Sequence, residues 1–176
     1  TITFQIPVFM AAPDRVVMPS GLARDVLAQL HYEPRLRLLC PRAPHTVWVH
    51  DPVDVRLSDH PGLSVGVLPW SGDNRRWPFR SRAVRAVLID EARRSTVWHT
   101  GCSLEIWDLA SMSFPVGQRY APGLHVFCLD SDPVAMLENS GRCLGWKASL
   151  IRRQVQRRTA AADVTICVGQ GVSERY

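Results

Sequence analysis

Short apolar runs separated by proline, glycine and aspartate are the feature that most limits the folds open to this chain. An apolar, β-branched segment at residues 2–10 is followed by four such runs, at residues 35–40, 46–50, 53–57 and 63–68. Runs of this length and composition are typical of strands. Because the four runs are joined by connections too short for parallel crossovers, the pattern predicts that they pair antiparallel.

Helical spacing appears in four other segments. Apolar residues at positions 22, 26, 27 and 30 predict a helix over 21–32 with Ser20 as its N-cap. Residues 81–94 fit a helix capped by Ser81 or a strand through 84–89, and the helix is favoured. Asp132 followed by Pro133 predicts a short helix over 133–140, and apolar positions 144, 148, 151 and 155 predict another with a basic outer face.

The remaining segments complete the predicted fold. Residues 69–82 are expected to form a loop, strands are expected at 96–107, 124–129 and 163–168, and a long loop is expected to join the first two of these strands. The 46% hydrophobic and 21% charged residues exclude disordered, collagen-like and coiled-coil chains. The sequence therefore predicts a single α+β domain over residues 1–176, with a mainly antiparallel sheet and two to four helices.

The positive charge is concentrated in two segments. Lys147 is the only lysine among the 21 basic residues, so arginine supplies almost all of the net charge of +5. Residues 72–94 carry seven arginines and three acids, and residues 142–158 carry five arginines, Lys147 and no acid. Since these windows are strongly positive and the rest of the chain is negative, we expect one basic side that meets a polyanion.

The two basic segments are the first candidate site. Trp77 and Phe79 alternate with arginines, which is the mixture that single-stranded nucleic acid requires, because guanidinium binds phosphate and flat rings stack on bases. The predicted nucleic-acid-binding residues are Arg75, Arg76, Trp77, Phe79, Arg80, Arg82, Lys147, Arg152, Arg153, Arg157 and Arg158. The alternative interpretation is that the rings pack on the core and the arginines are solvated.

Two His-x-x-Cys units form a weaker candidate. They would supply His99, Cys102, His125 and Cys128, which are residue types that bind zinc. Side chains three residues apart on a strand point to opposite faces, so this spacing requires a turn in order to converge. The expectation is therefore that the chain holds no metal, with zinc as the alternative.

His99 lies in the segment VWHTG, which is followed by Tyr120 and by GLHVF at residues 123–127. This arrangement resembles the His-Tyr type of ADP-ribosyltransferase. The resemblance implies that His99 would hold the ribose of NAD and that Tyr120 would stack on the nicotinamide. Here the residues after His99 are Thr-Gly, the reverse of the family's Gly-Thr order, and no acidic third residue is clearly placed.

Five widely spaced cysteines in apolar surroundings do not suggest a disulfide framework, and we expect reduced thiols in an intracellular, reducing compartment. No apolar run has the length of a membrane span, so no membrane association is expected. The leading hypothesis is a non-catalytic binding or assembly subunit, with no cofactor, that contacts nucleic acid, RNA favoured, or an acidic protein partner. The alternative is an NAD-consuming, ADP-ribosyltransferase-like enzyme centred on His99 and Tyr120.

Overall fold

The computed structural model describes residues 1–69, 77–101, 109–129, 132–139, 145–168 and 172; for residues 77–81 it describes the backbone alone. Two compact units divide the chain, Thr1–Val84 and Arg85–Tyr176. The expectation of a single domain over residues 1–176 remains a prediction. Each unit is built around its own parallel strands.

The first unit contains two kinds of strand pairing. Its elements are β1 (Ile2–Thr3), β2 (Phe9–Ala12), β3 (Arg15–Pro19), α1 (Ser20–Gln29), β4 (Leu36–Pro41), β5 (Pro52–Arg56) and β6 (Leu63–Leu68), with 3-10 turns at Thr46–Trp48 and Leu57–Asp59. The strands β1, β4 and β6 are parallel, in the order β6-β4-β1. The strands β2, β3 and β5 form an antiparallel sheet in that order.

A large apolar core stabilises the first unit. It takes Leu22 and Val26 from α1, Leu38 from β4 and Val16 and Val55 from the antiparallel sheet. The helix therefore buries the apolar stripe that its sequence predicts, and residues 21–32 are confirmed as helical up to Gln29. The capping prediction is wrong, because Pro19 occupies the N-cap position and the Ser20 hydroxyl donates a hydrogen bond to the Asp51 carboxylate instead.

Helix α2 spans Trp77–Arg93 and contains the division between the units. Its buried side chains Val84, Leu88 and Ala92 recur every four residues, so the helical interpretation of residues 81–94 is confirmed. Asp90 and Arg94, four residues apart, form an ion pair. The loop predicted over residues 69–82 is wrong from Trp77 onward, since the helix begins there, and Ser81 lies inside the helix rather than at its N-cap.

The second unit alternates parallel strands with helices. Its elements after α2 are β7 (Val97–Gly101), α3 (Leu109–Tyr120), β8 (Leu124–Leu129), α4 (Pro133–Asn139), α5 (Gly145–Ala161) and β9 (Val164–Cys167). The strands are parallel in the order β7-β8-β9. Phe114 of α3, Phe127 of β8 and Ile151 of α5 belong to one buried core. Each crossover helix thus packs its apolar face on the strands that it connects.

The predicted fold class is wrong in its sheet and in its number of helices. In the part of the chain that the structure describes, six strands pair in parallel, three in each unit, and five α-helices are present. The apolar runs at β4 and β6 are parallel partners. The strand between them in the sequence, β5, does not join their sheet and pairs with β3 in the antiparallel sheet. Residues 42–62 are therefore a crossover long enough for parallel pairing.

Two further predicted segments differ from the structure. Residues 46–50, expected as a strand, contain a 3-10 turn at Thr46–Trp48. The long loop expected before β8 contains α3, although Pro115 lies inside that helix. Burial of Leu109, Phe114 and Val116 stabilises α3 against the low helix propensity of its proline and glycine. The strands at 124–129 and 163–168 are confirmed as β8 and β9.

Candidate nucleic-acid interface

Helix α5 presents two different faces. Ala148, Ile151, Val155 and Arg158 are its buried residues, spaced three, four and three positions apart. Trp146, Leu150, Arg153 and Arg157 are exposed and spaced four, three and four apart. At 3.6 residues per turn, each set follows one side of the helix, and the two sets lie on opposite sides. We call the exposed set the outer stripe of α5.

The outer stripe changes character along the helix. Trp146 is 63% exposed and Leu150 is 38% exposed, whereas the next two positions of the stripe are Arg153 and Arg157. No ion pair joins either of these arginines to a carboxylate among the described residues. The apolar half is therefore followed by two guanidinium groups that are available to an anionic partner.

The surroundings of the outer stripe are also cationic. Residues 145–161 contain no acidic side chain. Arg152 is half-exposed, and its guanidinium lies 4.0 Å from the carboxylate of Glu138 on α4. Lys147, one turn before Ile151, is partly buried. The ion pair of Arg152 is long and exposed, so it contributes little stability, and it places one carboxylate beside this otherwise cationic face.

Arg158 does not share this surface. Only 8% of the residue is exposed, and its Nη2 donates a hydrogen bond of 3.2 Å to the hydroxyl of Ser111. Its Cζ lies 6.0 Å from the centre of the Phe114 ring, within cation-π distance. Of the predicted α5 cations, the structure thus brings Arg153 and Arg157 together on the outer stripe and directs Arg158 into the core.

The other basic segment is only partly described. Arg82 is exposed on α2. The backbones of Trp77, Phe79 and Arg80 belong to the same helix, but their side chains lie outside the described part, and Arg75 and Arg76 lie outside it entirely. The interface that can be built from observed side chains is therefore α5.

Sequence reasoning missed Trp146 and Leu150 as interface residues. The signal was present, because both lie on the side of the predicted helix opposite the apolar repeat at 148, 151 and 155. Counting charges alone selects arginines and ignores the position of each side chain around the helix.

The residues of the proposed zinc set do not converge. His125 lies on the face of the strands that packs on α3, where its ring centre is 4.5 Å from that of Phe114. His99 stands between Trp98 and Thr100, both of which contact Ser113 of α3, so His99 points to the opposite face. Cys128, three positions after His125, also points there, and Cys102 lies outside the described residues. No cluster of three metal-binding side chains occurs among the residues described.

The residues of the NAD hypothesis are separated in the same way. His99 is on the sheet face away from α3, and burial is the main cause that lowers its pKa to about 4. Tyr120 ends α3, where the guanidinium groups of Arg93 and Arg119 lie 5.4 and 5.5 Å from the centre of its ring. A shared cleft for nicotinamide ribose would require both side chains on one face.

A buried chain of polar groups connects β7, α3 and β8. The Thr100 hydroxyl lies 3.2 Å from that of Ser113 and 3.4 Å from Nε2 of His125. The backbone nitrogen of His125 donates to the Asp163 carboxylate at 2.8 Å, so this carboxylate does not orient the ring. All three linked side chains are buried, and Nδ1 of His125 has no hydrogen-bond partner. The arrangement holds α3 against the strands and offers no nucleophile to a substrate.

An open depression of about 500 Å³ lies in the first unit, between α1 and β5. Leu27 and Val53 are among its apolar lining residues, while Arg15 and Asp54 at its rim form an ion pair. None of the predicted site residues lines it. The depression therefore adds nothing to the interface on α5.

Comparison of the chain with protein-family models, with curated proteins and with solved structures found no match. Within the described ranges, none of the helices combines the length and the apolar character that crossing a bilayer requires.

Proposed function

We propose that this chain is a binding or assembly subunit that contacts nucleic acid through the outer stripe of α5. The observation that carries the proposal is the alignment of Arg153 and Arg157 with Trp146 on one exposed side of a helix that has no acidic residue. Guanidinium groups bind phosphate in a bidentate manner, and exposed rings beside them are typical of proteins that contact unpaired RNA bases. RNA is therefore the favoured class.

The expected mode of contact has little sequence preference. Phosphate contacts position a protein on nucleic acid, whereas amide side chains read base edges. The outer stripe contains two guanidinium groups and no asparagine or glutamine. Affinity should accordingly come from phosphate neutralisation and fall steeply as salt rises.

The test is fluorescence anisotropy with a labelled single-stranded RNA and a labelled duplex DNA across a salt series. The wild-type chain is compared with an Arg153→Gln/Arg157→Gln variant and with a control, Arg24→Gln/Arg35→Gln, which removes two exposed arginines of the first unit. Loss of two phosphate contacts should reduce the slope of log K against log salt by roughly 1.4 to 1.8, at about 0.7 to 0.9 per contact. The control should keep the wild-type slope.

Two results would remove the proposal. One is the absence of salt-sensitive binding to either nucleic acid, which would leave an acidic protein as the partner to seek. The other is an equal loss of slope in the α5 variant and in the control, because general positive charge would then explain the binding.

A further inference from the structure

Among the described residues, the indole at the start of the outer stripe does not belong to the buried core of the second unit. Trp146 is 63% exposed, one of the most exposed large apolar residues among those described. It lies about 10 Å along the helix axis from Arg153, at a rise of 1.5 Å per residue, and on the same side. A flexible anionic chain bound at the arginines can therefore reach the indole.

We propose that Trp146 is a base-stacking platform that makes α5 selective for single-stranded over double-stranded nucleic acid. The inference rests on the proposed function, because it names the substrate class of the same surface. In a duplex, each base is covered above and below by its neighbours, so an indole on a helix finds no free base face. In a single strand the faces are accessible, and every base has one, so stacking selects for strandedness without selecting for sequence.

The charges on the stripe favour a nucleic acid over a lipid surface. A helix that inserts into a bilayer interface presents a broad apolar face. The outer stripe has two large apolar side chains, Trp146 and Leu150, and its other half is Arg153 and Arg157. On this surface a base can stack on the apolar half, and the phosphates that follow it along the strand can bind the two arginines.

The experiment measures affinities for a single-stranded RNA, a single-stranded DNA of the same sequence and an RNA duplex, at constant salt. The variants are Trp146→Ala and Trp146→Phe, with Trp48→Ala as the matched control, since Trp48 is a 54% exposed tryptophan of the first unit. Circular dichroism verifies that each variant is folded. Trp146→Ala should weaken single-strand binding by about ten-fold or more and leave duplex binding within two-fold, at about 1.4 kcal/mol per factor of ten.

Recovery of affinity in Trp146→Phe would support stacking, because phenylalanine keeps a flat ring. Equal losses for single strands and duplex in Trp146→Ala, or no loss at all, would overturn the stacking platform while leaving salt-sensitive binding through the arginines intact. If the wild-type chain binds none of the three nucleic acids, the proposed function fails and the inference fails with it. Binding to anionic phospholipid vesicles alone, lost in Trp146→Ala, would also overturn the inference. Equal affinities for the single-stranded RNA and the single-stranded DNA would support recognition through bases and phosphates, without a contact to the ribose 2′-hydroxyl.

Discussion

Arg157 and Arg158 are adjacent in the sequence, but the first is exposed on α5 and the second is buried. Arg157 is exposed on the outer stripe, whereas Arg158 is buried and donates a hydrogen bond to the hydroxyl of Ser111. Consecutive side chains on an α-helix are rotated by about 100° around its axis, so two neighbouring arginines can have unrelated roles. Substituting each arginine in turn therefore distinguishes a positive charge that acts in binding from one that acts in folding.

Replacement of Arg157 by alanine should weaken nucleic-acid binding without changing stability. Its guanidinium makes no ion pair with a described carboxylate, so its loss removes one phosphate contact and little else. The slope of log K against log salt should fall by about 0.7 to 0.9. Anisotropy titrations at four salt concentrations measure it, with Arg35→Ala as the control. A wild-type slope in Arg157→Ala would contradict the placement of a phosphate at this residue.

Replacement of Arg158 by alanine should have the opposite pattern. The variant loses a partly buried hydrogen bond to Ser111 and the contact with the Phe114 ring. We expect a decrease of about 1 to 3 kcal/mol in the free energy of unfolding. Urea unfolding measures the decrease, and anisotropy at a temperature where the variant is folded should give the wild-type affinity. A stable variant with weakened binding would place Arg158 in the interface instead.

The position of Arg158 could have been predicted from the sequence. The apolar repeat at 148, 151 and 155 is visible in the chain, and its next member by helical spacing is position 158. Its charge favours a surface position for Arg158, whereas the apolar periodicity of the helix favours a buried one. A long guanidinium side chain can satisfy both, because its stem packs on apolar groups while its donors find an acceptor.

Gly117 allows α3 to approach β7 closely, and its replacement by alanine should be destabilising. A Cβ at this position would lie 2.2 Å from Cδ1 of Trp98, whose ring is fully buried and donates to the Ser113 carbonyl at 3.1 Å. Because neither group can move freely, we expect a loss of about 1 to 3 kcal/mol in thermal or urea unfolding.

The matched control for Gly117→Ala is Gly21→Ala in α1, where a Cβ would meet nothing within 4 Å. That substitution should stabilise the chain by roughly 0.5 to 1 kcal/mol, since alanine has the higher helix propensity. If both variants shift the unfolding midpoint in the same direction, the close packing of α3 on Trp98 is not what requires glycine.

Gly117 also shows why part of the fold could not be predicted. Together with Pro115, it made the segment before β8 resemble a loop, because both residues disfavour helix. The structure forms a helix there, since the apolar residues around Phe114 have strands to pack on. Helices with clear apolar periodicity, such as α1 and α5, were predictable, but pairing direction was not, because nothing local shows that β5 joins a different sheet from β4.

Acid should destabilise the second unit through His125, which is buried, and His99, which is partly buried. Burial lowers the pKa of His125, although the Asp163 carboxylate opposes the effect, and burial is also the main reason that the pKa of His99 falls to about 4. The unfolded chain, with ordinary histidine pKa values near 6.5, therefore binds protons that the folded chain does not. Stability is fully present above about pH 6.5 and decreases as the pH falls towards 4.

Unfolding free energies at pH 7, 6 and 5 measure this dependence, and His99 alone should contribute a loss of about 2 kcal/mol over that range. His125→Phe removes one titrating ring while keeping an aromatic contact with Phe114. Its stability should depend less steeply on pH than that of the wild type, and Thr100 keeps its contact with Ser113. His31→Phe, at an exposed position of the first unit, is the control. An unchanged pH dependence in His125→Phe would contradict the prediction. It would mean that protonation of His125 does not contribute to the loss of stability in acid.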